Sequence, residues 1–424
     1  MSTTNNIKNM VEGGDNGETM TPKKPRALWF NRDYMLLWSG QIVSNVGTQV
    51  SQLAFPLLIL AITRSPAMAG FAGALRALPY IIFSLPAGAL IDRWDRKRVM
   101  ILCDIGRALS MASIPIAYAF GQLTVLQLFI VSAIEGTLFV FFNIAEAACL
   151  PRVVPKSQLP DATAQNMATD GITVLIGPPL GGALYLIGNV LPFLADAISY
   201  VVSVFSLFFI KTNFQEKRTV AARKLWVEIV EGLSWLWHQP LIRFMAILTG
   251  GNNLVNAGYI LIIIVLAQNM QASSFVIGVI FAIGGIGGIL GAVVAPFIHK
   301  RVSFGQGIIG TSWIFALVIP LYIIAPNPVV LGAITALVFI AGPVYNVVQF
   351  SYRSALIPDE LQGRVNSVFR LIAFGGQPVG LALTGLAIQT IGVVQTILIG
   401  TVIMVVLALA ATVNTHVRNA KPLA

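Results

Sequence analysis

Apolar stretches of about 20 residues, the length a helix needs to cross the hydrocarbon core of a bilayer, recur about twelve times between Tyr34 and Thr412. Within lipid each backbone N–H and C=O must be paired inside its own segment, so runs of this kind form helices. The spans read as 34–62, 67–91, 99–120, 124–148, 164–187, 190–210, 241–267, 274–298, 304–325, 328–350, 364–389 and 391–412, with the shortest breaks at Gly188-Asn189, Asn327 and Gly392. Only 10% of residues are charged, against about 25% in soluble domains. Lipid is therefore the solvent, and the expected fold is an all-α polytopic membrane protein.

The net charge of +10 raises the question of nucleic acid, and its placement answers against it. Counting from an internal amino terminus, the even-numbered connections hold Arg93, Arg96, Lys97, Arg98, Arg152, Lys156, Lys211, Lys217, Arg218, Arg223, Lys224, Lys300, Arg301, Arg353 and Arg364. The odd-numbered ones hold Arg64 alone. This is the positive-inside asymmetry, which puts both termini in the cytoplasm. The polar stretch 1–33 lacks the pattern of a cleavable signal and reads as a cytoplasmic tail, as does 413–424. Cys103 and Cys149 fall within or at the ends of spans and read as packing residues, while His238, His299 and His416 are scattered. Neither a metal site nor a cofactor is expected.

Set against itself at an offset of 203, the chain places Gly88-Ala89 on Gly291-Ala292, Lys97-Arg98-Val99 on Lys300-Arg301-Val302, Asn143 on Asn346 and Pro155 on Pro358. Four coincidences in one register predict two pseudo-symmetric six-helix bundles, 34–210 and 241–412, of the kind that transporters rock about a central site. Between them, 211–240 begins basic and continues with Leu225, Trp226, Ile229, Val230, Leu233, Leu236 and Trp237 at helical spacing. Such a segment makes an amphipathic helix that lies at the inner membrane surface or packs under the bundle.

Polar side chains within spans cost free energy unless they face protein or a water-filled cavity. The first span carries Gln41, Asn45, Thr48, Gln49 and Gln52 at three-to-four spacing, and the fourth carries Glu135, Phe139, Asn143 and Glu146. Asn252, Asn253, Asn256 and Tyr259 mark the seventh, and Tyr345, Asn346, Gln349 and Tyr352 the tenth. These stripes predict a cavity between helices 1, 4, 7 and 10, each residue having an interhelical hydrogen bond as its alternative. No Asp or Glu occurs between Glu231 and Asp359, so any proton carrier sits in the first half. The candidates are Asp104, Glu135, Glu146, Asp170 and Asp196, with Arg76 and Arg107 as buried bases. Asp104 and Arg107 share a helix face and read as a self-paired element. Glu135, deepest on a cavity-lining helix, is the favoured carrier, with Asp104 and Asp170 behind it.

Two motifs carry a resemblance. After the second span comes Gly88-Ala89-Leu90-Ile91-Asp92-Arg93-Trp94-Asp95-Arg96-Lys97-Arg98, in which Gly88 permits close helix approach and Asp92 is an anion at a helix end. The segment resembles the loop signature G-x-L-x-D-R-x-G-R-[RK]-[RK] of the major facilitator superfamily, departing from it at Asp95. In the fifth span Gly177-Pro178-Pro179-Leu180-Gly181-Gly182 forms a kinked, closely packed stretch, and is similar to the family's antiporter core G-P-x-x-G-G. Thr173 stands where the longer pattern has a further glycine. The resemblance implies that Asp92 faces Gly363 and Arg364 when the inner gate shuts, with Arg93 and Arg96 completing the latch and Lys97 continuing the motif. The family's fourth-helix arginine has no counterpart here, Ser132 standing four residues before Gly136.

Together with Arg76-Ala77-Leu78-Pro79, Asp104 with Arg107, and Asp196, these motifs resemble the macrolide-efflux and enterobactin-exporter branch of drug:proton antiporters. The resemblance implies a monomeric, non-enzymatic secondary transporter of a bacterial plasma membrane, with protons and the lipid bilayer as its other partners. It exports a bulky hydrophobic or amphipathic small molecule by alternating access. An uncoupled facilitator or importer, and a lipid or lysolipid translocase, use the same fold and stay open.

Overall fold

The computed structural model describes residues 28–215 and 225–420; the tails at 1–27 and 421–424 and the basic linker residues Lys217, Arg218, Arg223 and Lys224 lie outside them. Among the described residues, 12 helical segments are long and apolar enough to cross a membrane. The first half comprises α1 (Arg32–Thr63), α2 (Pro66–Ile91), α3 (Arg96–Ala119), α4 (Val125–Val153), α5 (Leu159–Ile187) and α6 (Leu191–Phe209). A linker helix, α7 (Leu225–His238), follows. In the second half the seventh span is interrupted, α8 (Pro240–Asn256) then α9 (Tyr259–Asn269), and it is followed by α10 (Ser274–Arg301), α11 (Phe304–Val318) and α12 (Pro328–Leu356). The eleventh span is also interrupted, α13 (Gln362–Gly375) then α14 (Gln377–Ile391), and α15 (Val393–Val413) and the short α16 (Thr415–Arg418) complete the chain.

Helix starts follow local chemistry. Asn31, Ser65, Asp95, Thr124, Ser273, Ser303 and Asn327 each cap a helix by accepting a backbone N–H, which satisfies a donor that has no partner within the helix. Asp95, the departure from the loop signature, is thus the N-cap of α3, accepting from Arg98 N at 3.1 Å. Gly392, at φ 90°, turns the chain between α14 and α15, a conformation open to glycine without strain.

The repeat is real in its second part and displaced in its first. Thr124 and Asn327 cap α4 and α12, and Pro155 and Pro358 open matching 3₁₀ turns with φ/ψ of −56°/144° and −56°/141°. Asn143 and Asn346 are both exposed. Lys97 and Arg98, however, lie at the start of α3, whereas Lys300 and Arg301 end α10. Those two blocks, with the glycine pairs before them, do not occupy equivalent places. The second and third helices of the two halves correspond at an offset of 208, and the shorter third helix and following loop of the second half reduce the offset to 203 by the fourth, which explains the slip.

An even number of spans leaves both termini on one face, here called the terminal face. The three hydrophobic clusters show how the halves meet. One cluster, containing Leu53, Leu57, Ile114, Tyr200, Tyr259, Ile262, Ile277 and Phe281, runs through both halves on the far side. Toward the terminal face the cores are separate, one built from the first half around Met100, Phe142 and Phe214 and one from the second around Met245, Tyr345 and Phe369. The halves are therefore joined at the far face and parted at the terminal face. Two pseudo-symmetric seams make the joint, α2 on α14 and α5 on α10. Glycines bring the backbones together: a Cβ on Gly70 would lie 2.9 Å from Gly385 Cα, and a Cβ on Gly278 would lie 2.8 Å from Pro178 C. Ser274 Oγ donates to Gly182 O at 2.8 Å across the second seam, and Gln389 accepts from Ala67 N at 3.2 Å across the first.

α7 packs on α13, with Gly232 against the backbone of Arg364 and Glu231 paired with the Arg364 guanidinium at 2.7 Å. Its other side leaves Val227, Val230, Leu233 and Trp237 exposed. Of the two sequence alternatives for this helix, packing under the bundle is seen, on α13.

Candidate functional site

The first half holds a buried charge network at its centre. Arg107 of α3 is 2% exposed and Glu135 of α4 is 1% exposed. Arg107 Nε lies 3.3 Å from Glu135 Oε2, while the in-helix contact Arg107 Nη1 to Asp104 Oδ1 is longer, 3.8 Å. Ser110 Oγ donates to Glu135 Oε1 at 3.1 Å, and Tyr200 Oη of α6 to Oε2 at 3.3 Å. Thr48 of α1 accepts from Arg107 Nη2 at 3.3 Å and lies 3.0 Å from Tyr200 Oη. The guanidinium stacks on the Tyr200 ring at 4.1 Å and sits 5.7 Å from the ring of Phe139. Four helices, α1, α3, α4 and α6, thus converge on one cation.

The charge count is uneven. Asp104, Glu135 and Asp196 are all buried, Asp196 hydrogen-bonded by Ser199 at 3.3 Å on the α6 side. Arg76 of α2 lies within electrostatic range of Asp196 and is half-buried; Gly136 admits its backbone against α4. Two carboxylates share Arg107, so that trio keeps a negative charge unless it holds a proton. An unneutralised charge is costly at a buried site.

This geometry changes the reading of several residues. Glu135, expected on a cavity-lining face, is buried and turned onto Arg107. Asp104 is not self-sufficient with Arg107, whose nearer partner is Glu135. Ser132, where the family pattern has an arginine, is buried with its hydroxyl on Leu128 O at 2.9 Å. Gln41, expected in the cavity, is buried with Nε2 on Ser203 Oγ of α6 at 3.3 Å. Asp170 is exposed on α5, within electrostatic range of Glu146. Tyr200 and Ser110 were not anticipated; the Asp196-Ser199-Tyr200 spacing was the available signal.

Among the other expected cavity residues, Asn45, Gln49, Gln52, Asn143, Asn256 and Asn346 keep free side-chain surface. Gln49 also packs on Gly177. Asn252, Tyr345 and Gln349 are buried, Tyr345 Oη lying 2.7 Å from Thr249 Oγ1. Arg353, placed by sequence in a connection, lies inside α12 and is 6% exposed. Arg370 of α13 contacts Tyr80 Oη of α2 across the halves.

The loop signature is loosely packed at its glycine. Gly88 has nothing near it that a Cβ would meet. Asp92 accepts from Arg96 at 3.4 Å, and Arg364, the residue expected opposite it, is paired with Glu231 instead. Arg93 is exposed. Arg96 donates to Ala148 O at 3.0 Å and Phe214 O at 3.3 Å, and Lys97 to Ile210 O at 2.7 Å. Arg96 thus ties the end of α4 to the segment after α6, and Lys97 sits at the carboxyl end of α6, where cations are favoured. In the antiporter motif, Gly177 and Gly181 admit α1, a Cβ on Gly181 lying 2.7 Å from Val50 O, while Gly182 admits the backbone of Ser274 and Pro178 meets Gly278. The motif is the far-face seam itself.

Residues 37–380 match the Major Facilitator Superfamily. The chain belongs to this family. It is 24% identical over 404 residues to the multidrug efflux pump Tap of Mycolicibacterium fortuitum, covering 91% of this chain and 96% of Tap. It is 25% identical over 398 residues to macrolide efflux protein A of Streptococcus pyogenes, covering 91% and 96% respectively. Among solved structures it is similar in fold to the nucleoside transporter NupG, with a TM-score of 0.71, 15% identity and coverage of 92% of this chain and 100% of that one. The twelve-helix fold of this superfamily member is thus that of a multi-pass membrane transporter.

Proposed function

We propose that this superfamily member exports hydrophobic or amphipathic small molecules from the cytoplasm of a bacterium in exchange for protons. The observation that carries the coupling is the Arg107–Glu135–Asp104 network, in which one buried cation serves two carboxylates and a third, Asp196, lies nearby. Protonating Glu135 weakens its pull on Arg107 and frees Tyr200 and Thr48, which tie α6 and α1 to it. A proton is thereby converted into a change of packing within the first half. The positive-inside asymmetry supports a cytoplasmic terminal face, so the state described is the one that loads from inside. Similarity to proteins named for drug efflux supports the outward direction.

The transport step is the opening of the α2–α14 and α5–α10 seams as the terminal face closes. Bundles 34–210 and 241–412 would move as bodies, with Asp92 meeting the α13 start in the closed inner gate. The chain is taken to act as a monomer, the expected substrate path running between its own two halves.

Reconstituted protein tests this reading. In liposomes with an imposed pH gradient, at least one member of a panel of labelled macrolides and hydrophobic dyes should accumulate, and the accumulation should collapse when a protonophore is added. Transport that is unchanged by the gradient for every compound moved would contradict proton exchange and favour an uncoupled facilitator.

A further inference from the structure

The second half is almost free of acid. Between residues 240 and 424 the only carboxylates are Asp359 and Glu360, both in the short turn that joins α12 to α13 on the terminal face. Its helices nevertheless carry Arg243, Arg301, Arg353, Arg364 and Arg370, and two of these, Arg353 and Arg370, lie close together. Arg353 is 6% exposed, and its guanidinium stacks on the Phe369 ring at 3.9 Å and sits 5.4 Å from that of Phe350. Among the described residues no carboxylate pairs with it, and Nε has no hydrogen-bond partner. Arg370, one residue beyond Phe369, is exposed and its described contact is the ring and hydroxyl of Tyr80. The two cations are within electrostatic range of each other. Cations this close in the membrane repel and remain incompletely solvated, a costly arrangement that marks functional sites.

Unsatisfied polar atoms gather on the same wall. Gln349 Nε2 is buried without a partner one turn before Arg353. Buried donors in this condition cost free energy until a ligand or water meets them. A rise of about 1.5 Å per residue places Gln349 on α12 and Arg370 on α13 at about the same depth, roughly 10–12 Å from the terminal-face ends of their helices. Arg353 starts nearer that face, and its side chain points back toward the helix N-terminus, which brings the guanidinium to the level of Phe369. Arg370 also lies just before the break between α13 and α14. Opposite, Gly376 and Gly380 pack on Leu254, close to the break between α8 and α9. Interrupted helices are where transporters of this kind place ligand groups.

We propose that Arg353, Arg370 and Gln349 form an oxyanion subsite, so that the transported amphiphile carries a carboxylate or phosphate group held by the second half. Arg353 and Arg370 supply planar, charged donors suited to an oxyanion, Gln349 supplies an amide N–H, the buried Phe369 ring holds the Arg353 guanidinium in place, and the exposed Phe350 offers apolar surface beside it. The subsite names the substrate class for the export reading and rests on that reading only for its role in transport. The binding itself needs no gradient.

The test is equilibrium binding to the full-length protein in nanodiscs, without a pH gradient, using probes that share an apolar body and differ in head group: 2-naphthoate, 2-naphthyl phosphate, 2-naphthamide and 2-naphthylmethylammonium. A monoacyl lysophosphatidate arm separates a lipid source from a small-molecule source. At least one oxyanion should bind at least about tenfold more tightly than the amide and the ammonium. Arg370→Gln should remove that preference with an unchanged melting temperature, since the side chain is exposed, while Arg370→Lys should keep part of it. Arg353→Lys should weaken oxyanion binding through loss of the planar fork. Equal binding of all head groups, or oxyanion affinity unaltered in Arg370→Gln, would overturn the subsite. Gradient-driven transport can fail or succeed independently of this result.

Discussion

The two halves share a scaffold and differ in chemistry. In the first, each of the six helices is continuous and three carboxylates are buried around Arg107. In the second, two spans are interrupted, at Ala257-Gly258 and at Gly376, and among the described residues no carboxylate pairs with the buried Arg353. Charges that must stay paired suit continuous helices that hold them in register. Interrupted helices with unsatisfied donors suit a surface that reshapes around a ligand. The comparison teaches that a duplicated fold can divide its work, with proton exchange in one half and recognition in the other.

The largest effect is expected at the hub of the first half. Arg107→Met leaves Asp104 and Glu135 buried together without a cation, which should cost about 3–5 kcal/mol of stability and abolish transport; thermal unfolding of the purified protein measures the first. Combining it with Glu135→Gln should recover much of the stability and none of the coupling. Full recovery of gradient-driven transport in the double variant would break the division of labour.

A smaller effect is expected at the seams. A valine at Gly278 pushes into the backbone of Pro178 and Pro179, and overpacking of this sort costs about 1–3 kcal/mol. That should shift the balance away from the far-face-closed state by about one to two powers of ten. Labelling of Gln389→Cys, at the far end of the other seam, by a membrane-impermeant maleimide should rise in the Gly278→Val background. By contrast Gly88→Ala, which meets open space in this state, should leave labelling unchanged unless transport drives the inner gate shut. The smallest effect belongs to the linker. Glu231→Gln removes a partly exposed ion pair with Arg364, worth about 0.2–1 kcal/mol, and should shift the melting temperature little.

Hydropathy made the twelve spans legible, and even the weakest breaks, at Gly188, Asn327 and Gly392, are real helix ends. Fold class needed only segment length and the requirement that backbone groups be paired in lipid. Side-chain direction was less legible. Gln41 and Glu135 lie on the expected faces by spacing, but a polar side chain in lipid can turn toward a neighbouring helix as readily as toward a cavity. Which it does depends on Ser203 and Arg107, residues about 162 and 28 positions away along the chain. Arg353 was missed because near a helix end a basic residue looks like part of a positively charged connection, whereas Arg370 fell inside the expected span 364–389 with no acid in that span to mark it. The interruption of the seventh span escaped notice because hydrophobicity continues straight through Ala257-Gly258.

The most direct measurement compares two losses of acid in proteoliposomes. Glu135→Gln removes the carboxylate at the centre of the first half, and Asp359→Asn with Glu360→Gln removes every carboxylate of the second between residues 240 and 424. For each, pH-gradient-driven accumulation of a transported compound is measured beside gradient-free exchange of labelled for unlabelled compound. The division of labour predicts that Glu135→Gln loses accumulation while retaining exchange, and that the double variant retains both. Gradient-driven accumulation surviving in Glu135→Gln, or vanishing in the double variant, would contradict it.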